Sequence, residues 1–204
     1  MNGYLIPAGQ HRTEILVVNS RFYTSIGYAP SVDAAKAFIS SIRAEMPDAN
    51  HHVYAFRVGY GNSIIEGVSD DGEPTGTSGP PVLAVLRGRD IGDTVVVVTR
   101  FFGGTKLGTG GLVRAYTDAA QEGFSSLAVI RKIERTLLGL ELPYPVFEQV
   151  KRLIAQHEGE VEEESFAEAV TILAKFPSDQ TKPFSYAVSE LTSGRVVPID
   201  FGSI

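Results

Sequence analysis

The chain has 204 residues, 43% of them hydrophobic, no cysteine, and a formal charge of −6. This is enough apolar material for two packed domains of ordinary size, and it excludes disulfides, Cys-ligated metals and a thiol nucleophile. Acids exceed bases in both parts of the chain, 12 Asp and Glu to 10 Lys and Arg before Val129 and 12 to 8 from there on. That opposes nucleic-acid binding by bulk charge and leaves room only for a local basic patch.

Met1–Gln10 lacks the basic and apolar segments of a secretory leader, and no apolar run approaches the ~18 residues of a membrane span. A cytoplasmic protein with no membrane partner is expected. Residues 12–18 and 21–28 alternate as two strands joined through Asn19-Ser20. A helix follows from Ser31, with apolar positions at Val32, Ala35, Phe38, Ile39, Ile42 and Met46; Ser31 suits its start and Pro47 its end. Residues 53–58 and 64–69 read as a second hairpin, turning through Gly59, Gly61 and Asn62. A polar loop, Asp70 to Gly76, comes next, and Thr77 or Ser78 then caps a short helix through Pro80-Pro81 to Arg87.

The four valines Val95–Val98 mark residues 94–102 as a strand buried on both faces at the centre of a sheet. A helix over about 109–127 carries the stripe Leu112, Val113, Tyr116, Ala119, Ala120, Phe124 and Leu127. After Ala128 the pattern restarts as strand 132–142, helix 145–157, strands 159–166 and 169–176, helix 182–191 and strand 196–200. The expectation is an α+β chain of two domains, 1–128 and 129–204, the second a βαββαβ unit of ferredoxin-like type.

Three segments carry candidate chemistry. Five glycines between Arg100 and Leu112 (Gly103, Gly104, Gly108, Gly110, Gly111) join a buried strand to a helix N-terminus, where exposed N–H groups suit a phosphate or carboxylate. The segment completes neither a Walker loop nor a dinucleotide fingerprint, because Thr109 follows Gly108 and Val113 holds the place of the third glycine. The alternative is that the glycines serve only chain reversal and close packing. Asp70, Asp71 and Glu73 gather carboxylates in one turn, with His51-His52 heading a neighbouring strand; they form a binding surface, an acid–base or metal set, or a plain Asp-Gly turn. Ser78 reads as a helix cap rather than a nucleophile, since Pro80 breaks the elbow pattern. Arg87, Arg89, Arg100, Lys106 and Arg114 make the first domain locally basic, able to meet RNA phosphates. The acids at 160 and 162–164 read as a solvated strand edge, where charge discourages edge pairing. His11 and His157 have no partner visible in the sequence.

Together, residues 69–79 (SDDGEPTGTSG), 100–104 (RFFGG) and 107–116 (LGTGGLVRAY), with His51-His52, resemble the YigZ/IMPACT family over nearly the whole chain. The resemblance implies an N-terminal domain similar to the second domain of a small-subunit ribosomal protein, and a C-terminal domain similar to one in elongation factor G. It implies a role in translational control, with RNA, a ribosomal component or a translation factor as partner and no cofactor. The positions it marks are His52, Asp70, Asp71, Glu73, Arg100, Gly103, Gly104, Gly108, Gly110 and Gly111; Lys106 and Arg114 join them as bases beside the turn. Some relatives carry a proline dipeptidase designation, which the lack of a two-metal ligand set opposes. A small phosphorylated ligand at Gly103–Gly111, bound by an enzyme or sensor, is the competing expectation.

Overall fold

A computed structural model describes residues 3–61 and 63–203; Asn62, assigned above to a hairpin turn, lies outside them. The described residues fall into two compact units, Tyr4–Arg131 and a second that joins Gly3 to residues 132–203. Each unit is a mixture of helices and antiparallel sheet, an α+β protein.

The first unit is built on a five-stranded sheet in the order β2-β3-β6-β4-β5: β2 (His11–Val17), β3 (Ser20–Tyr28), β6 (Thr94–Phe101), β4 (His51–Val58) and β5 (Ile65–Ser69). Every pairing in it is antiparallel. Successive side chains of a strand point to opposite faces, so β6 splits its valines. Val96 and Val98 pack with Phe22, Val53, Leu86 and Tyr116 under α2 (Gly79–Arg87) and α3 (Gly108–Ser125). Val95 and Val97 pack with Ile39, Ile42 and Phe56 under α1 (Val32–Glu45). The uninterrupted valines thus reflect helices on both faces of the central strand. Helix α1 starts where Ser31 Oγ accepts the N–H of Ala34 at 3.1 Å.

The second unit runs β8 (Arg135–Leu142), a 3₁₀ turn (Tyr144–Val146), α4 (Phe147–Gln156), β9 (Glu160–Phe166), β10 (Val170–Pro177), α5 (Thr181–Thr192) and β11 (Ile199–Ser203). Its antiparallel sheet has the order β11-β8-β10-β9, the arrangement of a split βαβ domain. Leu138, Leu140, Ile172 and Phe176 close its core against Val150 and Ile154 of α4 and Phe184 and Val188 of α5. Of the acids on β9, Glu160, Glu162 and Glu164 pair with Arg135, Lys175 and Lys151. His157 faces Gln180 at 3.2 Å, and His11 faces Ser126 at 3.0 Å.

Three elements differ from the sequence reading. A short strand β1 (Tyr4–Pro7) pairs with β7 (Val129–Lys132); four residues ending in proline gain a strand's geometry only from a partner more than a hundred residues away. The expected strand 132–142 therefore starts later, at Arg135, since Lys132 ends β7, which bonds β1, whereas β8 bonds β10 and β11. The last strand begins at Ile199 rather than Val196, because Val196 is drawn into the core and its N–H donates to Thr192 Oγ1 at 3.2 Å.

Candidate functional site

At one end of the first sheet, the loop after β5 and the turn after β6 meet. Asp70 organises that loop. Its Oδ1 accepts from the N–H of Ser78 (3.0 Å), the N–H of Gly79 (2.8 Å) and the Ser78 hydroxyl (2.8 Å), and its Oδ2 from the N–H of Gly76 (2.8 Å). Burial opposes ionisation of this carboxyl, but those donors together outweigh it and hold Asp70 below the usual carboxylate range. The α2 N-terminus is thus capped by Asp70, eight residues upstream, and the Ser78 side chain makes no cap bond of its own. A carboxylate at a helix N-terminus gains from the exposed amides and the dipole.

Asp71 takes the left-handed conformation (φ 46°), with Gly72 following at φ 86°. Its carboxylate accepts the His52 N–H at 2.6 Å and pairs with Arg43, while its carbonyl accepts His51 Nδ1–H at 2.9 Å. This pins the loop to β4 and turns Glu73 inward. The Glu73 side chain is only 4% exposed; its Oε1 accepts Arg100 Nη1–H at 2.7 Å and the Tyr116 hydroxyl at 2.8 Å, and His51 Nε2 lies 3.8 Å away. Burial, then the charge and hydrogen bond of Glu73, push the Tyr116 phenol far above its ordinary value, so it is a fixed neutral donor. Arg100 also donates to Ser20 Oγ at 3.3 Å and lies over the Phe22 and Phe102 rings, yet its Nε has no hydrogen-bond partner among the described residues. A buried ion pair with an unmatched N–H is weak as a stabilising device, and such groups concentrate at functional sites.

Glu73, Arg100, Phe102, Lys106, Gly108 and Thr109 line a cleft of about 340 Å³. Helix α3 opens onto it with no side-chain cap and no acid in its first turn, so its first N–H groups offer a positive end to an anion. The glycines divide by role. Gly104 and Gly108 hold positive φ, and a Cβ on Gly103 would stand 1.8 Å from the Asn19 carbonyl oxygen, which explains those three by backbone geometry and close approach. Gly110 has no such reason: a Cβ there would meet nothing within 4 Å. A glycine in the first turns of a helix costs about 0.5–1 kcal/mol relative to Ala, and here neither packing nor φ demands it.

The structure gathers Glu73, Arg100, Lys106 and Gly108 at the cleft and sets Gly110 and Gly111 in the first turn of α3. Asp70 and Asp71 shape the wall from behind, Gly103 and Gly104 form the turn, and Arg114 lies exposed one turn along α3. His52 sits on the opposite face of the sheet, buried, with Nδ1 3.2 Å from Thr99 Oγ1; burial and then Arg43 push it below the ordinary imidazole range. Its neighbour His51 is the histidine that faces Glu73. Of the five expected basic residues, Arg87 pairs with Glu66 and Arg100 is buried on Glu73, while Arg89 stays exposed with its guanidinium over the Phe124 ring. Lys106 and Arg114 remain exposed and without an ion-pair partner among the described residues. Sequence reasoning named the His51-His52 pair but marked His52 as the site position, and it missed Tyr116, Ser20 and Phe102 as parts of the site. The alternation of β4 places His51 on the Val53 side and would have found it; Tyr116 was absorbed into the apolar stripe of α3. Among the described residues no group of three or more His, Asp or Glu converges in a way that could hold a metal ion, and no helix is long and apolar enough to cross a membrane.

Residues 18–124 match the Impact N-terminal domain family, and residues 140–195 match a domain of unknown function, DUF1949. The chain is 36% identical over 195 residues to the IMPACT family member YigZ of Escherichia coli, covering 95% of this chain and 96% of that one. It is 34% identical over 188 residues to the IMPACT family member YvyE of Bacillus subtilis, covering 92% and 85%. A solved structure described as "Crystal structure of an hypothetical protein" matches with a TM-score of 0.72 at 36% identity, over 98% of this chain and 97% of that one. On matches spanning nearly its whole length, this chain belongs to the IMPACT family.

Proposed function

We propose that this protein is a translation-associated binding protein whose first unit holds an RNA phosphate in the cleft between Glu73, Lys106 and the start of α3. The observation that carries the reading is the uncapped, acid-free α3 N-terminus beside the unpaired Lys106, with the unforced glycine Gly110 leaving its backbone open to close approach. Phe102, 44% exposed on the same cleft, adds an aromatic face on which a base can stack. Family resemblance supplies the translational setting, and fold analogy by itself would be a weak warrant for it.

The test is co-sedimentation with ribosomes and ribosomal subunits over a salt series, comparing wild type with Lys106→Ala and Gly110→Val. Both positions are exposed and lie outside the buried Glu73–Arg100 pair, so neither substitution disturbs the core. Association that weakens with salt, and a plot of log affinity against log salt that becomes shallower by about 0.7–0.9 on loss of Lys106, is the expected result. Wild type that stays in the soluble fractions at low salt refutes direct ribosome binding.

A second reading, a sensor or enzyme for a small phosphorylated ligand, is favoured by the cleft volume of about 340 Å³, within the range of small-molecule sites. Nucleotides and sugar phosphates, with and without magnesium, would then raise the thermal midpoint. No stabilisation by any of them removes this reading.

A further inference from the structure

A second pocket lies on the other face of the same strand end. Arg21, Tyr23, Met46 and Phe101 line a recess of about 330 Å³. Tyr23 pairs with Thr99 and Arg21 with Phe101 across β3 and β6, which sets their side chains on the α1 face, whereas Arg100 and the cleft lie on the α2–α3 face. The walls are mostly apolar: Tyr23 and Phe101 meet edge to face at 5.8 Å, Met46 closes the side at the end of α1, and Arg21 stands exposed at the rim. Glu14 lies directly across from Tyr23 on β2, and Glu45 nearby in sequence to Met46 is paired with Arg12. Glu14, without an ion-pair partner among the described residues, stands opposite Tyr23 and offsets the Arg21 cation, so the recess disfavours a phosphate and suits an uncharged flat ring.

We infer that the first unit binds a single-stranded nucleic acid around the end of β6, a nucleobase seated in the Arg21–Tyr23–Met46–Phe101 pocket and the adjoining phosphate at the Lys106 cleft. The inference rests on the phosphate reading above and adds strandedness and a base subsite. One strand end separates the two recesses, since Phe101 points to one face and Phe102 lies in the cleft beyond it. Aromatic rings alternating with cations along such a path are the means by which proteins hold unpaired strands; in a duplex the bases are stacked inside and cannot enter. Translation makes the strand RNA.

The experiment is fluorescence anisotropy of the full chain with a labelled oligouridylate, its duplex with oligoadenylate, and an oligothymidylate of equal length. Variants are Tyr23→Ala, Tyr23→Phe and Lys106→Glu, each checked for native circular dichroism. The expected result is binding of the single strand well above the duplex, weakened about 5- to 150-fold by Tyr23→Ala, the range for one lost base stack. Tyr23→Phe, which keeps the ring, should bind as wild type. Equal affinity for strand and duplex overturns the inference. So does full binding by Tyr23→Ala while Lys106→Glu is weak, which leaves the phosphate reading standing. Preference for oligothymidylate overturns the assignment to RNA, and wild type that binds none of the three overturns the phosphate reading as well.

Discussion

Replacing Arg100 by Met removes the cation that compensates Glu73 while keeping most of the apolar bulk that lies over Phe22. In the native protein both side chains are nearly sealed from water, 5% and 4% exposed, and the charges meet at 2.7 Å. The variant leaves the Glu73 carboxylate buried with the Tyr116 hydroxyl as its remaining close donor. Breaking a buried pair by removing one partner costs about 3–5 kcal/mol, and the retained Tyr116 bond puts the expected loss near the low end, about 3 kcal/mol. The double variant Arg100→Met/Glu73→Gln removes both charges, lets the Gln oxygen accept from Tyr116, and should come within about 1 kcal/mol of wild type. Native-state hydrogen exchange at Val95–Val98 measures this. These amides lie in a strand buried on both faces and report opening of the first unit. Their protection should fall by roughly a hundredfold in the single variant and recover in the double, at about 1.4 kcal/mol per factor of ten. A double variant no more stable than the single would refute the claim that an uncompensated charge, rather than lost packing, sets the cost.

Gly103→Ala should disrupt the turn after β6, since its Cβ would overlap the Asn19 backbone, whereas Gly110→Ala should stabilise the first unit by up to about 1 kcal/mol; thermal melts of the two decide, and equal effects would refute the division of the glycines. Asp70→Ala should cost about 2 kcal/mol, the upper end for a lost helix cap, because one carboxylate holds four donors. Because the folded Asp70 value lies below 3.8, its contribution is complete above that pH and drains as pH falls through the folded value; the stability of Asp70→Asn measured across the same acid range should therefore fall less steeply than that of wild type. Phe184→Ala removes a fully buried ring stacked at 4.2 Å on Phe176 and should cost the second unit about 3–5 kcal/mol, with exchange at Val95–Val98 unchanged if the units open separately.

The local patterns in this sequence were strong wherever a segment answers to its own neighbours. The alternation of β2 and β3, the stripes of α1 and α3, the valines of β6 and the βαββαβ order of the second unit all follow from side-chain periodicity. Periodicity is fixed by backbone geometry, whatever the fold. The glycine turn and the acid-rich loop were legible as unusual segments for the same reason. Their meeting was not. That Glu73 swings in to Arg100 and Tyr116, that Asp70 and not Ser78 caps α2, and that His51 rather than His52 faces the cleft depend on which strands pair and in what register, and a one-residue shift would reverse every face. The basic patch is reduced to fewer free cations for a related reason, because Arg87 and Arg100 found acids distant in sequence, Glu66 and Glu73. Strands β1 and β7 show the limit most plainly: each is four residues long, and their pairing exists only because the fold brings the two ends of the first unit together. Sequence determined the helices, the longer strands and the turns; long-range pairing added β1 and β7 and decided which charges are neutralised, which stay free, and therefore where a ligand can bind.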